Sequence, residues 1–443
     1  MRSRVILLLA VVCSSVMAGG WDNSLIGARS AGIGTAFVGI ANDASAIYYN
    51  AAGLAFAPSK AQFILCGKSY HPTHTYINSI GEKATSEIDA TLFEMFTYYR
   101  LSNRWTLGFG IFTPYAGGGM QWHQDEIGYS IEGAIGTISF SPTVTLKIFP
   151  QLAVGVNMNY YYIVSEQNIS DPAGKFIIRK LKLPGDLSTD FLSIDNFRMN
   201  AEENGTEYSF TGSIFYKPND KLSLGFAFHG PTNVALSGAS EMEGYAQYAM
   251  PPLPAIPITF KGKFSSGTGF YLPASYALGM SYHVTPKWII ACEYDYYYWS
   301  KLKDVLKTNY SVPVFINDVP LEETGLLPEG MSGFDWNYKE PMGFNDSYYL
   351  KIGAEYLYSD RITLRCGGSY DNGKVSKEAY SVTNIDVTKI NFLGGFGYHL
   401  GMLDINIAGF IQIGKAEQVP ASPQAEEYDL DSVGVLASIV RTW

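Results

Sequence analysis

Large apolar residues alternate with small or polar ones along most of the chain after residue 59. One face of the stretch 403–413 carries Leu403, Ile405, Ile407, Ile411 and Ile413. The positions between them are polar or small, apart from Phe410. Because successive side chains of a β-strand point to opposite faces, this period of two predicts strands with one face in apolar surroundings. Residues 138–148, 287–299 and 348–358 alternate in the same way.

The lengths of the strands and connections separate a membrane barrel from a soluble sandwich. The predicted strands run about 10–13 residues, roughly twice the usual soluble strand and enough to cross a bilayer at a tilt. Six short connections alternate with seven long ones, as in outer-membrane barrels. The sequence therefore predicts an all-β fold, a 14-stranded antiparallel transmembrane β-barrel over residues 60–443. The long connections are expected near 71–88, 116–134, 167–205, 231–271, 301–345, 372–386 and 416–430.

The N-terminus has the features of a secretory signal peptide. A short basic start with Arg2 and Arg4 precedes an apolar run at 5–12, and small or compact residues lead up to Ala18. The apolar run is too short for a membrane anchor, so residues 1–18 are predicted to be cleaved near Ala18. Residues 19–59 are rich in alanine and glycine and too few for a stable domain, and they are expected to form a small hatch inside the lumen.

Composition supports a strand-built membrane protein. The mean hydropathy is only +0.01, 14% of residues are aromatic and 16% are charged, below the quarter or so that is typical of soluble domains. Loss of Arg2 and Arg4 leaves 29 basic and 41 acidic residues, a net charge of −12 that argues against nucleic acid. Cys66, Cys292 and Cys366 are far apart and form no CxxC pair, so neither a metal site nor another cofactor is expected.

Several motifs together resemble the FadL family of outer-membrane transporters for long-chain fatty acids and other hydrophobic compounds. The hatch motif appears as Asn50-Ala51-Ala52-Gly53-Leu54, with Ala51 where that family has proline. Further similar segments are 107–110, 113–115, 272–274, 299–300 and 350–371. The resemblance implies passive transport, in which a shift of the hatch releases the ligand and an inward kink in one strand opens a side exit into the lipid.

Three groups of residues are candidates for this chemistry. Asn50 could shape a hatch hinge or be an ordinary turn residue. An apolar, proline-stiffened stretch of loop 231–271 could capture ligand or pack against its neighbours, and its candidates are Leu253, Ile256, Ile258 and Phe260. A fatty-acid carboxylate would need a lumenal cation, for which the inward-facing candidates are Arg100, Lys147, Lys351 and Arg365. The alternative, favoured for any single one, is an ion pair with Glu94, Glu293, Asp295 or Glu355.

The sequence therefore predicts transport of hydrophobic molecules, such as fatty acids or hydrocarbons, across the bacterial outer membrane. The expected surroundings are outer-membrane lipid and lipopolysaccharide, and the protein is expected to be a monomer. One alternative is a barrel of the same fold that serves protein secretion or surface assembly. A hydrolase is disfavoured because no GxSxG motif is present and His123, His229 and His283 have no evident nucleophile partner.

Overall fold

Fourteen antiparallel strands form one closed barrel in the computed structural model, which describes residues 24–172, 191–250, 253–312, 314–316, 319–320, 323 and 334–443. The predicted signal peptide lies outside the described residues. The barrel strands are β1 Ala61–Ile77, β2 Ala90–Arg100, β3 Trp105–Phe112, β4 Ser130–Phe149, β5 Leu152–Asp171, β6 Phe191–Tyr216, β7 Leu222–His229, β8 Ser275–Thr285, β9 Trp288–Tyr297, β10 Ser347–Ser359, β11 Ile362–Asp371, β12 Lys389–Leu400, β13 Leu403–Gly414 and β14 Glu426–Thr442.

Each strand pairs with the next along the chain, and the last strand pairs with the first. The closing ladder between β1 and β14 runs from Gln62↔Thr442 to Ile77↔Glu427. The predicted fourteen-strand barrel is thus confirmed. Closure matters because backbone groups in lipid must be hydrogen-bonded within the protein. The short connections lie at one end of the barrel, here called the short-turn rim, and the long connections lie at the other, the long-loop rim.

The outer surface of the barrel carries a band of exposed apolar side chains. In β13, Ile405, Ile407 and Ile411 point outward, while Asn406 and Phe410 are buried on the inner face. The period of two predicts these same outer and inner faces. An apolar outer face is suited to contact with lipid. None of the helices in the described ranges is long and apolar enough to cross a membrane.

Residues 24–57, here called the plug segment, pack inside the barrel. They contain two short helices, α1 Ala28–Gly32 and α2 Ala46–Tyr49, followed by a 3-10 helix at Ala51–Phe56. Most of the segment is buried, and its apolar residues share one core with inward-facing residues of the wall. A chain this short has no core of its own, so its folding depends on that wall.

The long connections contain more strand than the sequence pattern indicates. Loop 231–271 is a β-hairpin of Thr232–Met250 and Leu253–Leu272, and β6 starts at Phe191, well before its predicted start at 206. The hairpin pairs with β6 on one side and with Asp304–Val312 on the other, which in turn pairs with Phe334–Pro341. Shorter strands at Lys83–Glu87, Ala116–Trp122, Val314–Ile316, Val319–Pro320 and Glu417–Val419 and a helix at Gln124–Ile127 complete this rim. These strands extend beyond the apolar band, so neither face needs to be apolar and the pattern does not reveal them.

The connection between β11 and β12, residues 372–388, folds back over the inside of the long-loop rim. Val382, Ile385 and Val387 of this mouth loop are buried in one cluster with Trp122. The Trp122 Nε1–H also donates a hydrogen bond of 2.9 Å to the Val382 carbonyl oxygen. The mouth loop therefore covers the barrel on the side opposite the plug segment.

Candidate functional site

A small, partly open cavity lies between the plug segment and the long-loop rim. Its lining combines aromatic and polar side chains and comprises Tyr48, Phe112, Pro114, Tyr115, Asn157, Asn159, Tyr161, Thr211, His229, Ser275 and Tyr297. The cavity measures about 20 Å³, which is enough for a single water molecule and too little for any hydrocarbon. A hydrophobic ligand therefore has to displace surrounding side chains to enter this cavity.

The polar part of the lining forms a chain of hydrogen bonds across the wall. Ser141 Oγ donates to Asn159 Oδ1 at 2.8 Å, and Asn159 Nδ2 donates to Thr211 Oγ1 at 3.0 Å. Thr211 Oγ1 lies 3.1 Å from His229 Nδ1. Asn157 lies on β5, the same strand as Asn159, and its Nδ2 donates to the carbonyl oxygen of Ile47 in the plug segment at 2.6 Å. The cavity floor is thereby tied to the plug segment.

The ladder between β2 and β3 stops part-way up the barrel wall. These strands pair only from Met95↔Ile111 to Arg100↔Thr106. In the part of the chain that the structure describes, residues 90–94 of β2 have no strand partner on this side, although they pair with β1 on the other. β3 ends at Phe112, the chain then bends inward, and pairing with β4 resumes at Ala116. The ladder between β2 and β3 is therefore interrupted, an interruption here called the lateral gap, and residues of the bend also line the cavity.

An ion cluster joins the first helix of the plug segment to the wall. Both oxygens of Glu355 on β10 accept hydrogen bonds from Arg29, each at 2.9 Å, and Arg365 Nε on β11 donates to the same carboxylate at 2.6 Å. Arg29 also lies 3.1 Å from Asp43 of the plug segment. This group of Arg29, Glu355 and Arg365 is called the arginine cluster below. Glu355 thus bridges a cation of the plug segment and a cation of the wall, and Asp43 provides the second negative charge.

A second cluster holds the middle of the plug segment. Lys351 Nζ donates to Glu293 at 2.9 Å and to Asp295 at 2.5 Å, and all three side chains are buried. The other Glu293 oxygen accepts a hydrogen bond of 2.7 Å from the Val38 backbone N–H. Removal of Glu293 would therefore release Val38 and also leave Lys351 with less compensating charge.

A third cluster holds the start of the plug segment beside the lateral gap. Lys68 on β1 and Glu94 on β2 form a buried ion pair of 2.5 Å. Glu94 also accepts a hydrogen bond of 2.8 Å from the Gly27 N–H, and Lys68 donates one of 2.9 Å to the Leu25 carbonyl. Since Glu94 belongs to the part of β2 that has no partner on the β3 side, this cluster links the plug segment directly to the edge of the gap.

The hatch motif lies where the plug segment approaches the wall most closely. Asn50 is fully buried, and its Nδ2 donates to the carbonyl oxygens of Val38 at 3.1 Å and Ile214 at 3.0 Å. The backbone of the next two residues also bonds to the wall, through Thr145 Oγ1 to the Ala51 carbonyl and from the Ala52 N–H to Ser213. Asn50 has extended backbone and no left-handed turn, so its contacts are those of an anchor.

Alanine at position 51 fits the local backbone without conflict. Ala51 is the first residue of the 3-10 helix, the position where proline is well tolerated because the N–H has no partner within the helix. Gly53 faces Ala41, whose backbone an added Cβ would overlap. The change from proline to alanine therefore alters the stiffness of the motif more than its shape.

The four candidate cations all lie on the inner face but in two different settings. Lys351 and Arg365 belong to the carboxylate clusters described above. Arg100 and Lys147 lie near the short-turn rim, on the far side of the plug segment from the cavity. Arg100 donates to the Ala57 carbonyl oxygen, and the Lys147 ammonium lies 4.2 Å from the centre of the Phe56 ring. None of the four lines the cavity.

The capture-loop candidates have a regular backbone. Residues Leu253, Ile256, Ile258 and Phe260 belong to the strand Leu253–Leu272, and their side chains lie outside what the structure describes. Tyr161 and Tyr297 line the cavity, because alternate residues of their strands point inward. The cavity roles of Tyr48, Asn157 and Thr211 had no local signal.

A further buried charge cluster holds the mouth loop. Lys374 lies 3.1 Å from Asp386, and Lys389 pairs both with Asp386 and, at 2.9 Å, with Asp371. Burial alone would raise the pKa of Asp386, but Lys374 and Lys389 together hold that pKa below its usual value. The ionised carboxylate is therefore bound more favourably in the folded loop than in an unfolded one.

We expect the mouth loop to loosen in acid. Because the pKa of Asp386 is lower in the folded protein than in an unfolded chain, its ionised carboxylate stabilises the loop above about pH 4. This stabilisation is lost as the pH falls through the pKa that Asp386 has in the folded protein. The rate of amide hydrogen exchange over residues 374–387, corrected for the intrinsic rate, should rise as the pH is lowered from 6 to about 3. The variant Asp386→Asn should exchange fast at both pH values. Equal protection of the wild-type loop at both would contradict this role.

The described residues contain no group of histidine, cysteine and acidic side chains that could hold a metal ion.

Comparison with known proteins shows the same fold and one matching family. The chain matches, over residues 9–419, the sequence model of the family described as outer membrane protein transport protein (OMPP1/FadL/TodX). It is 20% identical over 320 residues to the long-chain fatty acid transport protein of Escherichia coli (strain K12). That match covers 71% of this chain and only 57% of the relative's length.

Two solved structures have the same architecture. A Pseudomonas aeruginosa FadL homologue superposes with a TM-score of 0.70 at 17% identity, covering 97% of this chain and 99% of the other. The Pseudomonas putida toluene transporter TodX superposes with a TM-score of 0.70 at 15% identity, covering 96% and 100% of the two chains. At these identities the superpositions establish the fold.

Proposed function

Because the chain belongs to the outer membrane protein transport protein family (OMPP1/FadL/TodX), we propose that it carries hydrophobic molecules across the bacterial outer membrane by passive diffusion. The family is one of transport proteins, and the barrel carries its apolar band outward into lipid. Following the usual asymmetry of such barrels, the short-turn rim would face the periplasm and the long-loop rim the outside.

The observation that carries the proposal is the bend at residues 113–115. Phe112, Pro114 and Tyr115 line the cavity, and the ladder between β2 and β3 is interrupted at the same height. A molecule in the cavity would therefore lie against the side chains of the bend that borders the gap. A lateral exit of this kind keeps an apolar molecule out of water for the whole route, which lowers the free-energy barrier to its passage.

The plug segment would act as the hatch, closing the route to the periplasm and linking the cavity to the gap. Tyr48 of the plug segment packs edge-to-face on Phe112 with ring centres 5.5 Å apart, and Phe112 stacks on Phe96 of β2 at 5.6 Å. Thr35 and Ala41 have positive φ angles, of 59° and 34°, a backbone strain that a movable segment could release. Displacement of Tyr48 would therefore enlarge the cavity next to the gap.

Uptake by whole cells tests this function. The protein is expressed in a Gram-negative host whose own hydrophobe transporter is deleted, and a radiolabelled long-chain alkane, alcohol and fatty acid are supplied in turn. We expect faster, saturable uptake of at least one probe relative to cells with the empty vector, with equal amounts of folded barrel checked by heat-dependent gel mobility. If all three enter at the vector rate, the transport proposal is wrong.

A further inference from the structure

We propose that the cavity selects an uncharged apolar molecule that carries a hydroxyl group, such as a phenol or a fatty alcohol, over one that carries a carboxylate. The inference rests on the proposed transport function and specifies the substrate class of the same site. It follows from the hydrogen-bonding groups and charges that the lining offers.

The cavity lining offers one hydrogen-bond acceptor that has no donor. Asn157 is 1% exposed and lines the cavity. Its Nδ2 is fixed by the bond to the Ile47 carbonyl, which settles the orientation of the amide. Its Oδ1 accepts no hydrogen bond from any described residue. A buried acceptor left unpaired is unfavourable, so a ligand that donates a proton to it would gain binding free energy.

The hydrogen-bond chain of the wall supplies a donor. Asn159 Nδ2 donates to Thr211 Oγ1, and the Thr211 hydroxyl can donate its own proton to His229 Nδ1, 3.1 Å away. A neutral imidazole that accepts at Nδ1 carries its proton on Nε2. We assign this tautomer to His229, which lines the cavity and would then offer an Nε2–H donor in the same lining as the Asn157 acceptor. A hydroxyl group both donates and accepts, so it matches this pair, whereas a carboxylate cannot donate to Asn157.

The charges around the cavity also disfavour a carboxylate. No lysine or arginine lines it, and the candidate cations are either in carboxylate clusters or on the other side of the plug segment. An ionised carboxylate that loses its water without gaining a cation is strongly disfavoured, whereas a neutral hydroxyl needs only hydrogen bonds. The present cavity of about 20 Å³ has room for a hydroxyl oxygen. The apolar body would lie against Phe112, Tyr115 and Tyr161 after these rings move.

Binding to the full chain in lipid nanodiscs tests this selectivity. The probes p-cresol, p-xylene and p-toluate share one ring and differ in a hydroxyl, a methyl and a carboxylate group. The dissociation constants are measured by calorimetry. We expect the wild-type protein to bind p-cresol about tenfold more tightly than either other probe, which is the difference that two matched hydrogen bonds would give. The variant Thr211→Val should lose most of this preference with p-xylene binding unchanged, and Thr211→Ser should restore it.

A second Thr–His pair provides the matched control. Thr363 Oγ1 lies 2.8 Å from His399 Nε2 in β11 and β12, near the short-turn rim and away from the cavity lining. His229→Phe should remove most of the preference for p-cresol over p-xylene, whereas His399→Phe and Thr363→Val should keep it. Equal binding of the three probes to a folded wild-type protein, or an undiminished preference over p-xylene in His229→Phe, would overturn the inference and leave the transport proposal intact. Failure of the uptake experiment would remove the transport proposal itself.

Discussion

The variant Gly225→Val is expected to displace the plug segment and make the barrel permeable to hydrophilic solutes. A Cβ at Gly225 would overlap the Val38 carbonyl and lie 2.6 Å from Asn50 Nδ2. A backbone carbonyl cannot rotate away as a side chain can, so the segment must move, at a cost of about 1–3 kcal/mol or more. Fourteen strands enclose a wide lumen, and uptake of a large hydrophilic antibiotic should rise by roughly tenfold once it opens.

Gly212 on the adjacent strand β6 provides the control for that variant. It pairs with Phe228 of β7, and nothing lies within 4 Å of a Cβ added there. Gly212→Val should leave both permeability and barrel folding unchanged. The two variants are compared only if both show heat-dependent gel mobility at the wild-type level. A folded Gly225→Val barrel that excludes the antibiotic as well as wild type does would contradict the account of the plug.

The variant Glu355→Gln is expected to destabilise the docking of the plug segment by about 3–5 kcal/mol. Gln keeps the shape of the side chain but removes the charge that Arg29 and Arg365 share, at 2.9 Å and 2.6 Å. Two largely buried guanidinium groups then lie close together with only Asp43 beside Arg29 as compensating charge, which is worse than the absence of the whole cluster. Protease cleavage within residues 24–57 in the purified barrel should become fast, and the barrel strands should stay resistant.

An exposed ion pair and a double variant distinguish charge from general damage. Lys217 and Asp220 are 3.9 Å apart, and Asp220 is fully exposed, so Asp220→Asn should have little effect. Arg29→Met combined with Glu355→Gln should restore part of the protection that Glu355→Gln alone removes. If the double variant is cleaved as fast as the sum of the single effects predicts, the arginine cluster does not couple the plug segment to the wall.

The barrel could be predicted from the sequence because lipid imposes a local, repeated rule. Every residue of β13 that faces lipid must be apolar, and the alternation of Ile405, Asn406 and Ile407 records this directly. Beyond the bilayer the rule no longer applies. The strand Thr232–Met250 was therefore expected to be a loop, although its backbone pairs on both sides.

The site was less predictable because its contacts join distant parts of the chain. Arg29 meets Glu355 across 326 positions, a pairing that depends on the register of the strands and on where the plug segment sits. Face alternation places Lys351 and Arg365 on the inner face, but it does not say which acid each one meets. The bend at residues 113–115 is equally non-local, because it is defined by the ladder that β2 and β3 fail to complete.

Photolabelling with a diazirine-bearing alkane tests most directly whether hydrophobic molecules move from the cavity to the lateral gap. The full chain in nanodiscs is irradiated with the probe, and labelled peptides are mapped by mass spectrometry. We expect labels at residues 112–115 and at the inward-facing Leu92 of β2, and unlabelled alkane should compete for them. Labels confined to outward-facing residues such as Ile405 and Ile411, with none at the bend or on the inner face, would contradict the account.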